Sequence, residues 1–256
     1  MIIPPWMRSA GFTAARLLTA NPSLRVLFDQ TTIEASLRRL LASELLINTV
    51  YDVGCHRGAW TQELRPLLPQ ARYCLFDPLD YAAPLAVDPR ITFFQALLSD
   101  HSGPVPFHST GGTGDSCFQE ATPFYAGLEP RLLQAERLDA LVRQHHLPPP
   151  DFLKVDTQGA ELQVLRGAGE LLKRCALIQL ECSLVAYNVG APLIGDCIEQ
   201  LRQWGFLVVA IQPITWTGGR SSALGTPADA WIPQADLLFA SQNRLDTERF
   251  AACLNT

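Results

Sequence analysis

The sequence predicts an α/β fold in which a mostly parallel sheet is covered by helices on both faces. Short apolar runs alternate with helical patterns along the chain, and the first run breaks into a glycine turn. Of the 256 residues, 48% are hydrophobic and 18% are charged, which is enough for one substantial core. The predicted strands are residues 47–53, 73–76, 91–97, 152–155, 176–181, 206–211 and 237–240.

The chain before the first strand is predicted to be helical. Ile33, Leu37, Leu40 and Leu45 recur at helical spacing, with charged residues between them. Residues 1–45 are therefore expected to form an N-terminal helical cap on the main domain. The apolar face of this helix is also a candidate surface for a homodimer.

Two irregular stretches interrupt the alternation of strands and helices. Residues 108–115 form a glycine loop without the Lys-Ser or Lys-Thr ending of a phosphate-binding loop, and we interpret it as a mobile wall over a ligand. Residues 216–231, rich in Gly, Ser and Pro, lie between the last two strands. They form either part of a substrate lid or a long surface connection.

The turn after the first strand indicates a cofactor site. Gly54 ends the strand and Gly58 opens a helix, which gives G-x-x-x-G instead of the G-x-G-x-x-G of dinucleotide sites. A nicotinamide-dependent oxidoreductase, the first alternative, is disfavoured because the middle glycine is missing. Asp52 and Asp77 end the first two strands, and carboxylates attract a ligand that has a ribose and positive charge. S-adenosylmethionine, a sulfonium without phosphate, is such a ligand.

Composition and charge narrow the classes of partner. The formal net charge is −5, and no cluster of Lys and Arg exceeds a local pair, which argues against a nucleic-acid partner. The seven cysteines include no C-x-x-C pair, which favours a reduced, cytoplasmic protein. No apolar stretch approaches the length of a transmembrane helix. We therefore expect a small-molecule, sugar or natural-product substrate.

Residues 151–168 resemble the signature of the FkbM family of S-adenosylmethionine-dependent methyltransferases. In that family a strand reading roughly F-[IL]-K-[IV]-D is followed by x-[EQ]-G-x-E and then by L-x-G, and this chain reads FLKVD, TQGAE and LRG in that order. Further matches are the YDVG sequence that ends at Gly54, the Phe-Asp-Pro sequence that ends at Pro78, and residues 96–100. The resemblance covers residues 47–241.

This resemblance implies a class I methyltransferase fold, a Rossmann-like, doubly wound sheet of seven mostly parallel strands with an antiparallel last strand. It divides the chain into the cap at residues 1–45, an S-adenosylmethionine-binding domain at 46–241 and a C-terminal tail at 242–256. The family acts mostly on hydroxyl groups of glycans and natural products, so the expected activity is O-methylation. The second alternative is a non-catalytic module that keeps the fold as an interaction surface.

The resemblance also implies which residues bind the cofactor. The backbone at Gly54 and the carboxylate of Asp52 would hold the methionine end, and Asp77 would accept hydrogen bonds from both ribose hydroxyls. Asp52 would otherwise be a turn-forming residue. Ser116 is either a ligand contact or an ordinary loop serine. The other residues expected around the cofactor are Cys55, His56, Gly58, Pro78, Ala96, Leu97 and Asp156.

Asp156 is the predicted catalytic base, because it ends the fourth strand beside the expected methyl position. Glu181 ends the neighbouring strand and would share the proton or orient the acceptor. Both carboxylates could also hold Mg²⁺, which takes oxygen ligands and lowers the pKa of a bound hydroxyl. Lys154 and Glu161 are expected to have structural roles, the first as an ion-pair partner and the second as a negative charge in the first turn of a helix.

Overall fold

The structure is a computed structural model that describes residues 32–121, 123–214 and 234–244. The α-helices in these ranges are α1 (Ile33–Ala42), α2 (Ala59–Leu64), α3 (Leu138–Gln144), α4 (Glu161–Ala168) and α5 (Ile194–Gln203). The strands are β1 (Thr49–Val53), β2 (Arg72–Asp77), β3 (Ile91–Gln95), β4 (Leu97–Ser99), β5 (Gly103–Phe107), β6 (Arg131–Arg137), β7 (Phe152–Val155), β8 (Leu177–Ser183), β9 (Phe206–Ile214) and β10 (Gln234–Ser241). None of these helices has the length and apolar character needed to cross a membrane.

Seven strands form the main sheet in the order β3-β2-β1-β7-β8-β10-β9. β10 runs antiparallel to its neighbours β8 and β9, and all other pairs are parallel. β1 and β7 lie side by side in the centre, with Val53 paired to Val155. Strand order reverses at this pair, which is where doubly wound sheets bind ligands. The predicted fold class, including the antiparallel last strand, is confirmed.

The predicted strand at residues 91–97 is wrong in one respect, because it is two strands that belong to different sheets. β3 ends at Gln95, and the N–H of Ala96 donates to the carbonyl oxygen of Asp77 at 2.9 Å before the chain enters β4. β4 pairs with β6, which also pairs antiparallel with β5. This small sheet, β4-β6-β5, is absent from the sequence-based prediction, and it forms one wall of the site described below.

Apolar layers pack on both faces of the main sheet. On one face α3, α4 and α5 cover side chains such as Leu153 and Phe239. On the other face α1 and α2 cover side chains such as Phe152 and Leu238. Successive side chains of each strand therefore belong to different apolar layers, because they point to opposite faces of the sheet.

Helix α1 is the described part of the predicted N-terminal cap. It is capped by Thr32, whose Oγ1 accepts a hydrogen bond from the N–H of Ala35 at 3.1 Å. Ile33, Leu37 and Leu40 are buried against the main sheet, so the apolar face of α1 is covered by its own chain. The predicted elements at residues 1–31, at 216–231 and at 245–256 lie outside the described residues.

Candidate functional site

A cleft opens at the carboxyl ends of β1, β2 and β7, between the main sheet and the small sheet. It encloses about 730 Å³, including space open to solvent. Among the described residues that line it, three are carboxylates and none is Lys or Arg. The lining residues are Val53, Gly54, His56, Phe76, Asp77, Pro78, Leu79, Ala96, Leu97, Leu98, Phe107, Gly112, Thr113, Asp115, Cys117, Asp156, Thr157, Gln158 and Ala160.

The glycine turn after β1 brings two strand ends into backbone contact. Gly54 has a φ of +73°, and a Cβ atom at this position would lie 1.7 Å from the carbonyl oxygen of Asp156. The N–H of Gly54 also donates to the carbonyl oxygen of Phe76 at 2.9 Å. Gly58, with a φ of +71°, caps the N-terminus of α2. Gly54 is therefore required for the close approach of β1 and β7 beside the cleft.

Asp77 holds a fixed carboxylate at the end of β2. Its Oδ2 accepts a hydrogen bond from the N–H of His56 at 2.8 Å, and its Oδ1 accepts one from the N–H of Leu79 at 2.9 Å. Burial raises the pKa of Asp77, although both backbone hydrogen bonds oppose the shift. Each oxygen keeps a further lone pair, so the carboxylate can accept two more hydrogen bonds in the cleft.

Lys154 is buried between two carboxylates. Its Nζ lies 3.1 Å from Asp156 Oδ2 and 3.5 Å from Asp52 Oδ1, and its side chain is 7% exposed. Burial disfavours the ammonium, but the charges of Asp156 and Asp52 outweigh burial and raise the pKa of Lys154. Asp52, whose own pKa is raised by burial against the charge of Lys154, accepts a hydrogen bond from Thr61 Oγ1 at 2.7 Å. The predicted ion pairing of Lys154 is thus present.

Gln158 links the two predicted catalytic carboxylates. Its Nε2 donates to Asp156 Oδ1 at 3.2 Å and also to Glu181 Oε2. Gln234 Nε2 donates to the same oxygen of Glu181 at 2.7 Å. Burial and the negative charges of Asp156 and Asp236 raise the pKa of Glu181 well above its ordinary range. Glu181 lies behind Asp156 and does not line the cleft.

The loop after β7 is held in shape by buried polar contacts. Glu161 Oε1 accepts hydrogen bonds from the N–H of Thr157 at 2.9 Å and from the N–H of Gly159 at 3.1 Å. Burial raises the pKa of Glu161, and these hydrogen bonds oppose the shift. Ser116 Oγ donates to the carbonyl oxygen of Gln158 at 2.7 Å. Both side chains therefore brace the loop that carries Gln158.

The structure brings most of the predicted cofactor residues together in the cleft: Gly54, His56, Asp77, Pro78, Ala96, Leu97 and Asp156. The predicted residues Asp52, Cys55, Gly58 and Ser116 do not line it. Asp52 has no exposed surface, so the predicted direct contact of its carboxylate with the methionine end is not supported. Its carboxylate pairs instead with Lys154, which also pairs with Asp156.

Several lining residues were missed by the sequence reasoning. Phe107 belongs to β5, where no strand was predicted. Gln158 stands in the TQGAE sequence, and an amide beside Asp156 in that motif was a signal that could have identified it. Thr113 and Cys117 are further examples, and Thr113 lies in the predicted glycine loop, which does form part of the cleft wall.

The described residues give no support for the Mg²⁺ hypothesis. They contain no group of three or more His, Cys, Asp or Glu side chains arranged to hold a metal ion. Three of the oxygens that a cation would use already accept hydrogen bonds: Asp156 Oδ2 from Lys154, Asp156 Oδ1 from Gln158, and Glu181 Oε2 from Gln158 and Gln234.

A family model described as the methyltransferase FkbM domain matches residues 52–208. A curated relative, the 2-O-methyltransferase NoeI of Sinorhizobium fredii (strain NBRC 101917 / NGR234), is 26% identical over 152 residues. That match covers 52% of this chain and 63% of the relative, so this chain spans less than two thirds of the relative's length.

Solved structures of methyltransferases are also similar to this chain. The precorrin-6y C5,15-methyltransferase of Geobacter metallireducens GS-15 matches with a TM-score of 0.43 and 15% identity over 81% of this chain and 86% of that chain. The 1,6-didemethyltoxoflavin-N1-methyltransferase of Burkholderia thailandensis matches with a TM-score of 0.43 and 14% identity over 94% and 92%. Since the family model spans more than half of the sequence, from the end of β1 into β9, this protein belongs to the FkbM methyltransferase family.

Proposed function

We propose that this protein is an S-adenosylmethionine-dependent O-methyltransferase that acts on a hydroxyl group of a sugar or natural product. The charge of the cleft is the observation that carries the proposal. Among its described lining residues, Asp77, Asp115 and Asp156 are acidic and none is Lys or Arg. Such a cleft attracts a cation and repels a phosphate. The name of the relative, a 2-O-methyltransferase, supports an oxygen as the acceptor atom.

The residues of the cleft fit this cofactor. S-adenosylmethionine, when bound, supplies a methyl group on a positively charged sulfur. Asp77 would accept hydrogen bonds from the ribose hydroxyls with the lone pairs that the backbone leaves unused. Leu97 and Phe107 provide apolar surface for the adenine. His56 also lines the cleft, and its Nε2 is buried without a hydrogen-bond partner among the residues that the structure describes, which leaves that nitrogen for a ligand.

Methyl transfer to a hydroxyl requires the acceptor oxygen to be aligned and its proton to be removed. Asp156 is the proposed base, because its side chain is 28% exposed in the cleft and Lys154 and Gln158 hold its two oxygens in place. Glu181 is the proposed second acceptor of the proton. Its raised pKa suits a group that takes a proton from a neighbouring carboxyl.

Calorimetric titration of the purified protein with S-adenosylmethionine, S-adenosylhomocysteine and NAD tests the cofactor. We expect binding of both adenosyl ligands in the micromolar range typical of enzyme ligands and no binding of NAD. Asp77→Ala should weaken the binding by about 1–3 kcal/mol, because ligand hydroxyls lose their acceptor. Binding of NAD alone would contradict the proposal, and binding of none of the three would favour the non-catalytic module.

Transfer of tritiated methyl groups to a library of hydroxylated acceptors tests the base. Asp156→Asn should lower turnover by about 10²- to 10⁴-fold while S-adenosylhomocysteine affinity stays nearly unchanged, because the amide keeps the shape and loses the basic oxygen. Asp80→Asn, at an exposed position of the helix Asp80–Val87, is the control and should turn over as the parent does. A fully active Asp156→Asn enzyme would show that another group removes the proton.

A further inference from the structure

Two chain segments pack against the loop that joins β7 to α4. One is residues 116–121, which follow the glycine loop, and the other is residues 187–191, which follow β8. They are joined to each other, because the N–H of Val189 donates to the carbonyl oxygen of Gln119 at 2.8 Å. A Cβ atom at Gly159 in the loop would lie within 3.2 Å of a side chain in each segment. We call these two segments the clamp.

The clamp fixes the backbone of Gln158, the central residue of the loop. Gln158 has a φ of +53°, in the left-handed region that is unfavourable for a residue with a Cβ atom. Its carbonyl oxygen accepts a hydrogen bond from Ser116 Oγ at 2.7 Å and another from Asn188 Nδ2 at 2.7 Å. Both donors are buried, and each belongs to a different segment of the clamp. The two segments therefore stabilise this backbone conformation together.

The clamp also fixes the side-chain amide of Gln158. The hydroxyl of Tyr187, a residue that is 1% exposed, donates to Gln158 Oε1 at 3.2 Å. The Nε2 atom of the same amide donates to Asp156 Oδ1 at 3.2 Å and to Glu181 Oε2. A primary amide has one oxygen and two N–H groups, so all three are used. The reversed orientation would place the amide oxygen against two carboxylates, and Tyr187 favours the orientation that avoids this contact.

The orientation of this amide affects the ionisation of the Asp156–Glu181 pair. A hydrogen bond donated to a carboxylate favours its ionised form, and Gln158 donates one to each member of the pair. A change in its orientation therefore changes the pH at which the pair takes up a proton. The other charged groups that act on the pair come from β1, β7, α4 and β10, and they are Asp52, Lys154, Glu161 and Asp236.

We propose that Tyr187 and Asn188 are positioning residues of the methyltransferase site, which act on Asp156 and Glu181 through Gln158. Residues 187–191 are not among those that line the cofactor cleft. Asn188 holds the loop backbone, and Tyr187 holds the amide so that its N–H groups face both carboxylates. Asp156 is thereby kept ionised and oriented before the acceptor binds. The inference rests on the proposed role of Asp156 as the base, and it adds the segment after β8 to the groups that prepare this base.

Carbon-13 NMR of the full chain, labelled at the side-chain carboxyl carbons of Asp and Glu, tests the proposal between pH 4 and 9. Asp156→Asn and Glu181→Gln assign the two signals. Tyr187→Phe should move the first protonation of the pair to higher pH by about 0.5–1 unit, because a weakened hydrogen bond to a charged group favours the protonated form. Asn188→Ala should move it in the same direction.

Tyr73→Phe is the matched control for the loss of a buried tyrosine hydroxyl. Tyr73 is 1% exposed near the start of β2, and its hydroxyl donates to the carbonyl oxygen of Leu68 at 2.9 Å. This variant should titrate as the parent does, because the cleft opens at the other end of β2. If Tyr187→Phe also titrates as the parent does, the positioning role is overturned.

Gln158→Leu tests whether both residues act through the amide. It removes the shared donor and should shift the first protonation of the pair by about one pH unit or more. In the Gln158→Leu background neither Tyr187→Phe nor Asn188→Ala should cause a further shift, because residues that act through one group are not additive. A further shift would show that they act by another route. If Gln158→Leu does not fold, Tyr187→Phe, which keeps the ring, decides the question.

Transfer of tritiated methyl groups to the acceptor library gives a second readout. Tyr187→Phe should lower turnover about fivefold at pH 6 and less at pH 8, while the affinity for S-adenosylhomocysteine stays unchanged. An equal loss at both pH values would show that Tyr187 supports only the structure. The NMR titration needs no cofactor, so it separates the two proposals: absence of S-adenosylhomocysteine binding to the parent contradicts the proposed function, whereas an unchanged titration in Tyr187→Phe contradicts the positioning role.

Discussion

The face of the main sheet that packs against α3, α4 and α5 is apolar across its central strands. Its side chains are each at most 2% exposed, and they interlock with the apolar stripes of the three helices. β1, β7, β8 and β10 contribute to it Tyr51, Val53, Leu153, Val155, Ile178, Leu180, Leu237 and Phe239. This face resembles the interior of any stable α/β domain.

The opposite face of the same four strands carries a row of buried polar groups towards its carboxyl edge. Asp52 pairs with Lys154 and Lys154 with Gln179 in the registers of β1, β7 and β8. Glu181 and Asp236 continue this polar row on β8 and β10. Apolar residues fill the face below the row, so the polar row is local to the edge where the ligand cleft opens.

The difference between the two faces separates stability from function. Burial of apolar side chains stabilises the fold, whereas burial of charges costs desolvation energy that an ion pair recovers only in part. A sheet selected for stability alone would gain by apolar residues in the polar row. The polar row lies beside Asp156, and we therefore infer that its residues contribute to the function of the cleft. Substitutions on the two faces should then have different consequences for stability and for ligand binding.

The largest effect is expected from Lys154→Met in the polar row. Removal of the buried cation leaves Asp52 and Asp156 without a counter-charge, and we expect a loss of about 3–5 kcal/mol in the free energy of unfolding. Urea denaturation measures it. Lys173→Met, whose side chain is 75% exposed, is the control and should change stability by less than about 0.5 kcal/mol. Equal stability of Lys154→Met and the parent would mean that the polar row does not depend on its cation.

Leu153→Ala changes the adjacent residue of the same strand, whose side chain lies on the apolar face. We expect a loss of about 2–5 kcal/mol in the free energy of unfolding, because a fully buried leucine leaves a cavity. Affinity for S-adenosylhomocysteine, measured by calorimetry well below the unfolding temperature, should stay unchanged. The exposed Leu132→Ala serves as the control for stability. Weakened ligand affinity in folded Leu153→Ala would show that the two faces are not separable.

A smaller effect is expected from Asp236→Asn, and it depends on pH. Asp236 has a pKa of about 6 in the folded protein against an ordinary value of 3.8, so the folded state holds this proton more tightly. Its stabilising contribution is complete below pH 3.8 and is lost as pH rises through 6, a change of up to about 3 kcal/mol. Asp156, Glu181 and Lys154 are the charged groups that influence Asp236 from the neighbouring strands.

Thermal unfolding of Asp236→Asn between pH 4 and 8 measures this contribution. The variant should lose less stability than the parent as pH rises, because the amide does not titrate. Glu129→Gln, at an exposed position, should follow the parent profile. Parallel profiles of Asp236→Asn and the parent would exclude Asp236 as a buried acid of the polar row.

The small sheet shows where prediction from sequence reaches its limit. β6 reads RLLQAER, a composition that favours a helix, yet it is a strand because β4 and β5 pair with it on both sides. β5 reads GPVPF, and its two prolines are tolerated because β5 lies at the edge of the sheet. Neither strand has a local pattern that predicts it, since the pairing joins segments that are distant in sequence.

The sequence predicted those residues of the candidate site that lie at the carboxyl ends of the predicted strands. Asp77 and Asp156 follow apolar strands in the sequence, and the carboxyl ends of neighbouring parallel strands meet at one edge of a sheet, so both reach the cleft. Asp52 follows the same sequence logic and is nevertheless buried. Its orientation towards Lys154 depends on the register of β1 against β7, which no local pattern encodes.

The sequence by itself determined the seven strands of the main sheet, the glycine turn at Gly54 and the family, because apolar periodicity, backbone freedom and a contiguous motif are all local properties. Tertiary structure alone decided which carboxylates are exposed and how the small sheet forms a wall of the cleft. These features depend on residues from distant segments that meet only when the sheet is assembled, and a buried charge acquires its partner only in that assembly.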